Sequence, residues 1–206
     1  MRGHWIFLVL FLVGSVVILE GFSFFGPAME RAQAARVLGA SLNVSSHAFL
    51  YGIRIPLKYT CDCSNTFPPL SWEKGPWKTK SYVVMCVNPD VVSGEIVLWI
   101  VYNIPASRTS LPEGFIDPDH SFGDEAAVIQ DGILQVGSRG IFLPKNYPLV
   151  QEYYFIVFAL DSMITPMKKP VTKEVVFDAI KGHELAAGIC LGLYAKEPEV
   201  IPLFRR

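Results

Sequence analysis

Three stretches, Tyr82–Val87, Glu95–Ile104 and Glu152–Leu160, constrain the fold of this chain more than anything else in it. Each is rich in Val, Ile, Tyr and Phe, and each is bounded by Pro, Gly, Asn or Asp, the composition of β-strands. Their apolar residues run almost unbroken instead of alternating with polar ones. A strand of that kind is covered on both faces, so the three are expected at the centre of a sheet with a layer on either side. Pro56, Pro68, Pro69, Pro105, Pro112, Pro144 and Pro148 mark the loops between elements. Helical spacing appears only late, at Val175, Val176, Ala179, Ile180 and His183, with Thr172 as N-cap and Glu174 in the first turn. It predicts helix from Thr172 to about Tyr194, either continuous or split in two by Gly182 and Gly188.

The 206 residues fit one domain and an appendage. A hydrophobic fraction of 51% against 18% charged residues excludes a disordered chain. Net charge is −1 with no Lys/Arg run, which leaves no field for nucleic acid. Four cysteines are too few for a disulfide-built scaffold. Much of the apolar excess precedes the domain. Arg2 is followed by a nearly continuous apolar run from Trp5 to Leu19, which resumes after Glu20 and ends at Gly26-Pro27. At ~1.5 Å per residue, Trp5 to Phe25 spans about 30 Å, one bilayer core. The same segment also reads as a secretory signal with a small-residue site at Ala32-Gln33-Ala34. On either reading the body is expected outside the cytoplasm, secreted or anchored by residues 5–25. The chain therefore divides into a signal peptide or membrane anchor with linker at 1–40, a domain at 41–197, and a tail at 198–206.

Several loop motifs carry a family likeness. Ile55-Pro56, Tyr59-Thr60-Cys61-Asp62, Asn65 and Pro68-Pro69-Leu70-Ser71-Trp72 open the series. Pro89-Asp90, Trp99 to Ala106, Leu111-Pro112-Glu113-Gly114, Gly137-Ser138-Arg139-Gly140, Ala159-Leu160-Asp161 and Gly182 to Ala186 continue it. In this order and spacing they resemble the phosphatidylethanolamine-binding protein family, most closely its bacterial and archaeal YbhB/YbcL branch, also labelled Raf kinase inhibitor-like. The resemblance implies a mainly β, sandwich-like fold: a large central sheet, a smaller sheet and a few peripheral helices, here preceded by the hydrophobic N-terminal helix.

It also implies an anion pocket at one end of the sheet, and this chain departs from the pocket's pattern. Asn88 stands at the first Asp of the D-P-D loop, with Asp90 retained. Leu98 stands where the pocket histidine precedes Trp99. Gln151-Glu152-Tyr153 replaces an H-R-Y triplet, and Leu143 replaces a glycine before Pro144. Imidazole and guanidinium groups are what hold a phosphate by charge-assisted hydrogen bonds. A pocket with Asp90 and Glu152 and without those cations is expected to repel one. The altered site is expected to comprise Asn88, Asp90, Leu98, Tyr102, Pro144, Gln151, Glu152 and Tyr153. It is either remodelled for a neutral or cationic ligand, or empty.

Among the remaining features, Cys61-Asp62-Cys63 is the most conspicuous, since Gly is usual in the family at the third position. The pair reads as a redox couple, as half of a zinc site, or as a source of a disulfide from Cys63 to another cysteine. Cys86 and Cys190 read as buried small residues, the second in a helix. The acidic run Asp117-Pro118-Asp119-His120 lacks the glycine and glutamate placement of a calcium loop. His183 reads as a packed structural residue, and His47 is uninformative. Asn43-Val44-Ser45 forms a glycosylation sequon. No nucleophile elbow, zinc-protease or P-loop pattern occurs. The expectation is a non-enzymatic domain with no catalytic residue, metal or cofactor. Its partner would be an unidentified small ligand or protein, with the membrane added if the N-terminal segment is retained. The alternatives are a kinase or protease inhibitor or scaffold acting through its loops, and an uncharacterised hydrolase.

Overall fold

The computed structural model describes residues 28, 32, 40–90, 94–115, 127–130, 133–136, 141, 150–164 and 173–195. In chain order the elements are β1 (Ala40–Ser41), β2 (Val44–Ser45), β3 (Ile53–Arg54), a 3-10 turn at Leu57–Tyr59, β4 (Leu70–Trp72), β5 (Ser81–Asp90) and β6 (Gly94–Pro105). They continue with β7 (Ser110–Leu111), β8 (Ala127–Gln130), β9 (Ile133–Val136), β10 (Val150–Leu160), α1 (Lys173–Ile180) and β11 (Glu184–Ala195). Eight strands form one sheet in the order β1-β11-β10-β5-β6-β9-β8, with β3 also paired to β11. A second sheet of three strands has the order β2-β4-β7.

The three predicted strands are β5, β6 and β10, and they lie in the middle of the large sheet. Both of their faces are buried, as unbroken apolar sequence requires. On one face Tyr82, Val84, Cys86, Trp99, Phe155 and Val157 meet residues of the small sheet such as Val44, Leu70 and Trp72. Aromatic edges organise this layer, with Phe67 edge-on to Trp99 at 5.2 Å and Phe49 tilted against Phe155 at 5.6 Å. On the other face Val83, Met85, Ile100, Ile156 and Phe158 meet Val176, Phe177 and Ile180 of α1. Ala28 and Ala32, both helical and fully buried, join this second cluster.

The late helix is shorter than its sequence pattern predicts. It ends at Ile180, and Gly182 follows in the left-handed region at φ +82°, where a glycine carries no side-chain penalty. From Glu184 the chain is a strand, paired along its length with β10 from Ala195 opposite Val150 to Glu184 opposite Leu160. The reason lies in its small residues. The chain that follows β1 and the chain that follows β3 both cross the face of β11, so a Cβ on Gly188 would stand 2.3 Å from the Leu42 carbonyl oxygen and one on Gly192 2.5 Å from Ile55. Ala and Gly, which read as helix or turn in isolation, are what this crossing tolerates. Cys190 is therefore buried as expected, but in a strand.

The apolar segment at 5–25 lies outside the described residues, as do the acidic run at 117–125, His120 and Pro144. Among the described residues, no helix is long and apolar enough to cross a membrane.

Candidate functional site

Two irregularities in the β5–β6 pairing decide which side chains reach the end of the large sheet. Cys86 stands opposite Trp99 and Val87 opposite Val97, which leaves Leu98 as an extra residue. Such a bulge breaks the alternation of faces. Leu98 and Trp99 therefore both enter the core between the sheets, while Val97 and Ile100 enter the other. Leu98 is fully buried there. The second irregularity lies at Tyr82/Val84 and carries Asn103 at φ +60°. Its amide donates to the Ile164 carbonyl at 2.9 Å and accepts from the Ile164 N–H at 2.8 Å, so this motif residue ties the chain after β10 to β6.

The structure brings Asn88, Leu98, Gln151 and Tyr153 to the face shared with the small sheet. Asn88 and Gln151 are buried, and Asn88 Nδ2 donates to Gln151 Oε1 at 3.1 Å. Gln151 Nε2 donates in turn to the Val150 carbonyl at 3.4 Å. Tyr102 and Glu152 are not part of this group. Tyr102 is buried in the α1-side cluster, because the bulge shifts the phase of β6. Glu152 is exposed, and accepts a hydrogen bond from Tyr154 at 2.5 Å on that same side. Repulsion of an anion by Glu152 inside the pocket, expected from the sequence, therefore does not arise from this geometry. Asp90 closes β5, and Pro144 is outside the described residues.

Sequence reasoning missed Asp62, Thr60 and Tyr194. Tyr194 is fully buried and is the cross-strand partner of Gln151. Its hydroxyl donates to the Asp62 carboxylate. Asp62 projects from the turn after Thr60, which bridges to Ile141 and whose Oγ1 donates to the Leu57 carbonyl at 2.8 Å. Asp62 stood in the quoted loop motif; Tyr194 was hidden by the helical reading of its segment. The site is thus two amides, two buried phenols and one carboxylate. Among the described residues it offers hydrogen bonds and one carboxylate.

Two buried phenols, Tyr194 of this site and Tyr102 on the opposite face of the sheet, make the domain sensitive to alkali. Burial, assisted by the bond to Asp62, pushes Tyr194 from its usual 10.0 up to about 12. Burial pushes Tyr102 to about 12 as well. A proton held more tightly in the folded state stabilises fully below about pH 10, and that contribution is lost as pH rises toward about 12. Denaturation followed between those values should show stability falling steadily, with a shallower fall in Tyr194→Phe. A flat profile for the unmodified chain contradicts this.

Other motif residues serve structure. Glu113 accepts from the Tyr59 hydroxyl at 2.8 Å and pairs with Lys58 at 2.9 Å, which joins two of the loop motifs; the Lys58 ammonium and the Tyr59 hydroxyl hold its carboxyl below the ordinary value. His183 is half exposed instead of packed, with Nδ1 2.8 Å from the Asp161 carboxylate at the far end of β10. His47 and Asn43 are exposed. Cys61 and Cys63 are exposed, Cys86 and Cys190 are buried, and none of the four is in a disulfide. Among the described residues, no three His, Cys, Asp or Glu side chains gather as a metal site would require. A cavity of about 530 Å³ opens elsewhere, beside Asn43, Tyr51, Glu73 and Cys190, and none of the predicted site residues lines it.

Comparison with known proteins agrees with this architecture. The family model described as phosphatidylethanolamine-binding protein matches residues 45–195. A UPF0098 protein of Methanothermobacter thermautotrophicus is 35% identical over 162 residues, covering 75% of this chain and 99% of that relative. The crystal structure of a putative phosphatidylethanolamine-binding protein homolog from Chlamydia trachomatis is 31% identical, with a TM-score of 0.62 over 76% of this chain and 99% of that one. Escherichia coli YbcL, at 23% identity, shares the fold with a TM-score of 0.63 over 77% and 100% of the two chains.

Proposed function

The chain belongs to the phosphatidylethanolamine-binding protein family, and we propose that it is a non-enzymatic binding domain whose sheet-end site takes a neutral or cationic group in place of phosphate. The observation that carries this is the buried Asn88–Gln151 pair, two uncharged amides bonded to each other at 3.1 Å. Beside them Leu98 fills its position with hydrocarbon. Among the described residues the carboxylate on this face is that of Asp62, which accepts from Tyr194, and an acidic group favours a cation or a hydrogen-bond donor. Burying a phosphate against such a lining would leave its charge uncompensated.

We place this domain outside the cytoplasm, carried by residues 5–25. The burial of Ala28 and Ala32 against the large sheet supports a retained segment, since cleavage at 32–34 would remove both from the second core. A second reading, a partner-binding surface, is supported by one exposed loop. Leu50, Tyr51 and Ile53 are 75%, 64% and 54% exposed within four residues.

Calorimetry and thermal shift on full-length protein from the membrane fraction test the proposal. Inorganic phosphate and phosphoethanolamine should give no saturable binding, whereas a member of an amine, amide and alcohol panel should raise the melting temperature in a dose-dependent way. Micromolar binding of either phosphate compound overturns the pocket reading, and recovery of the protein from the cytosol of native cells overturns its placement. A stoichiometric protein partner, with no response to the panel, favours the second reading.

A further inference from the structure

The turn that carries Asp62 holds two exposed thiols one residue apart. The Cys63 N–H donates to the Thr60 carbonyl at 3.1 Å, as does that of Asn65, and the Cys61 N–H donates to the Ile141 carbonyl at 2.9 Å. Cys61 and Cys63 therefore occupy the second and fourth places of a tight, anchored turn. In such a turn, Cα atoms two residues apart stand roughly 5.5 Å from each other, inside the range of about 4.4–6.8 Å that a disulfide bridges. Cys86 and Cys190 are buried in strands of the large sheet and are not presented to solvent.

We propose that Cys61 and Cys63 are a modification site, forming a reversible disulfide across Asp62 whose state sets how firmly that carboxylate is held on Tyr194. Only the effect on the sheet-end site rests on the binding reading above; the disulfide itself rests on the turn. The oxidant is a small or protein disulfide of the glutathione or oxidoreductase class. One cysteine thiolate attacks a sulfur of that disulfide, forming a mixed disulfide and releasing one thiolate. The second cysteine thiolate attacks the protein-side sulfur, closing the Cys61–Cys63 bond and releasing the other thiolate. The two cysteine protons pass to the two released thiolates, so the protein pair is oxidised and the oxidant's disulfide reduced by two electrons. A ring closed over a single intervening residue is constrained, and constrained, exposed disulfides are the readily reduced ones. The closed ring would restrict the backbone on either side of Asp62, whose carboxylate accepts the Tyr194 hydroxyl beside Gln151.

Equilibrating the full-length chain in glutathione redox buffers, followed by alkylation, intact mass and peptide mapping, tests this without any ligand. Cys61 and Cys63 should lose alkylation together as the buffer becomes oxidising, with a mass decrease of about 2 Da that a dithiol reverses. Cys63→Ser should abolish that decrease and yield a single glutathione adduct at Cys61. Alkylation of both thiols at every glutathione ratio, a stable adduct on each, or a bond between two chains overturns the proposal. Because the readout is mass, its failure would leave the binding reading standing, and the reverse holds equally.

Discussion

Replacing Gly188 by alanine is expected to destabilise the domain by about 3 kcal/mol, the upper end of what overpacking a filled core costs. The added methyl would lie 2.3 Å from the Leu42 carbonyl oxygen, 2.5 Å from Val44 Cγ2 and 2.9 Å from Leu42 Cβ. Relief requires moving backbone, because Leu42 is fixed by its own N–H, which donates to the Ala187 carbonyl at 3.0 Å. The movement would pull β1 and β2 away from β11 together. Urea denaturation should show a midpoint lowered by roughly 1.5 M at an unchanged slope of ~2 kcal/mol/M. Gly192→Ala supplies the contrast. The atoms that its methyl meets, Ile55 Cγ1 and Cδ1 and the ring edge of Phe49, belong to side chains and not to backbone, so relief needs only side-chain repacking and its cost should be smaller. Equal effects at the two positions would mean that backbone crossing is not what makes Gly188 necessary.

Phe155→Ala is expected to cost about 4 kcal/mol. The ring sits fully buried on β10, with Phe49 at 5.6 Å and Trp99 at 6.2 Å, where the large and small sheets meet. Removing it deletes apolar contact and leaves a void between two sheets that cannot close without shifting both. Phe155→Leu keeps most of the volume and should lose less than half as much. The fluorescence of Trp99 should change in the alanine variant before unfolding begins. A loss below about 1.5 kcal/mol would show that the two sheets collapse onto the gap.

The central strands were legible because burial on both faces leaves a mark that does not depend on register. Tyr82–Val87, Glu95–Ile104 and Glu152–Leu160 are apolar at nearly every position whichever way the side chain points, and all three lie inside observed strands. The last strand was illegible for the opposite reason. Gly188 and Gly192 are chosen by the chain that crosses them, a tertiary demand that outweighs local propensity. The loop motifs identified the family and brought Asn88, Leu98, Gln151 and Tyr153 to notice. They could not tell that Tyr102 and Glu152 face away. For Tyr102 that depends on the bulge that makes Leu98 the extra residue, and for Glu152 on alternation along β10. Asp62 and Tyr194 meet across 132 positions of sequence, and only the fold puts them together.

The way β11 is finished at its outer side bears on solubility. A twelve-residue strand at the rim of a sheet would present a ladder of open donors and acceptors to any neighbouring chain. Here the rim is closed by fragments: β1 covers Ala186–Ala187, β3 covers Gly192–Leu193, and the Gly52 N–H reaches the Leu191 carbonyl between them at 2.8 Å. Both fragments run parallel to β11, joined by an excursion through the small sheet, so neither offers a long template of its own. The same 15 positions, Ala40 to Arg54, that complete the sandwich therefore guard this rim against growing, strand upon strand, into a fibril.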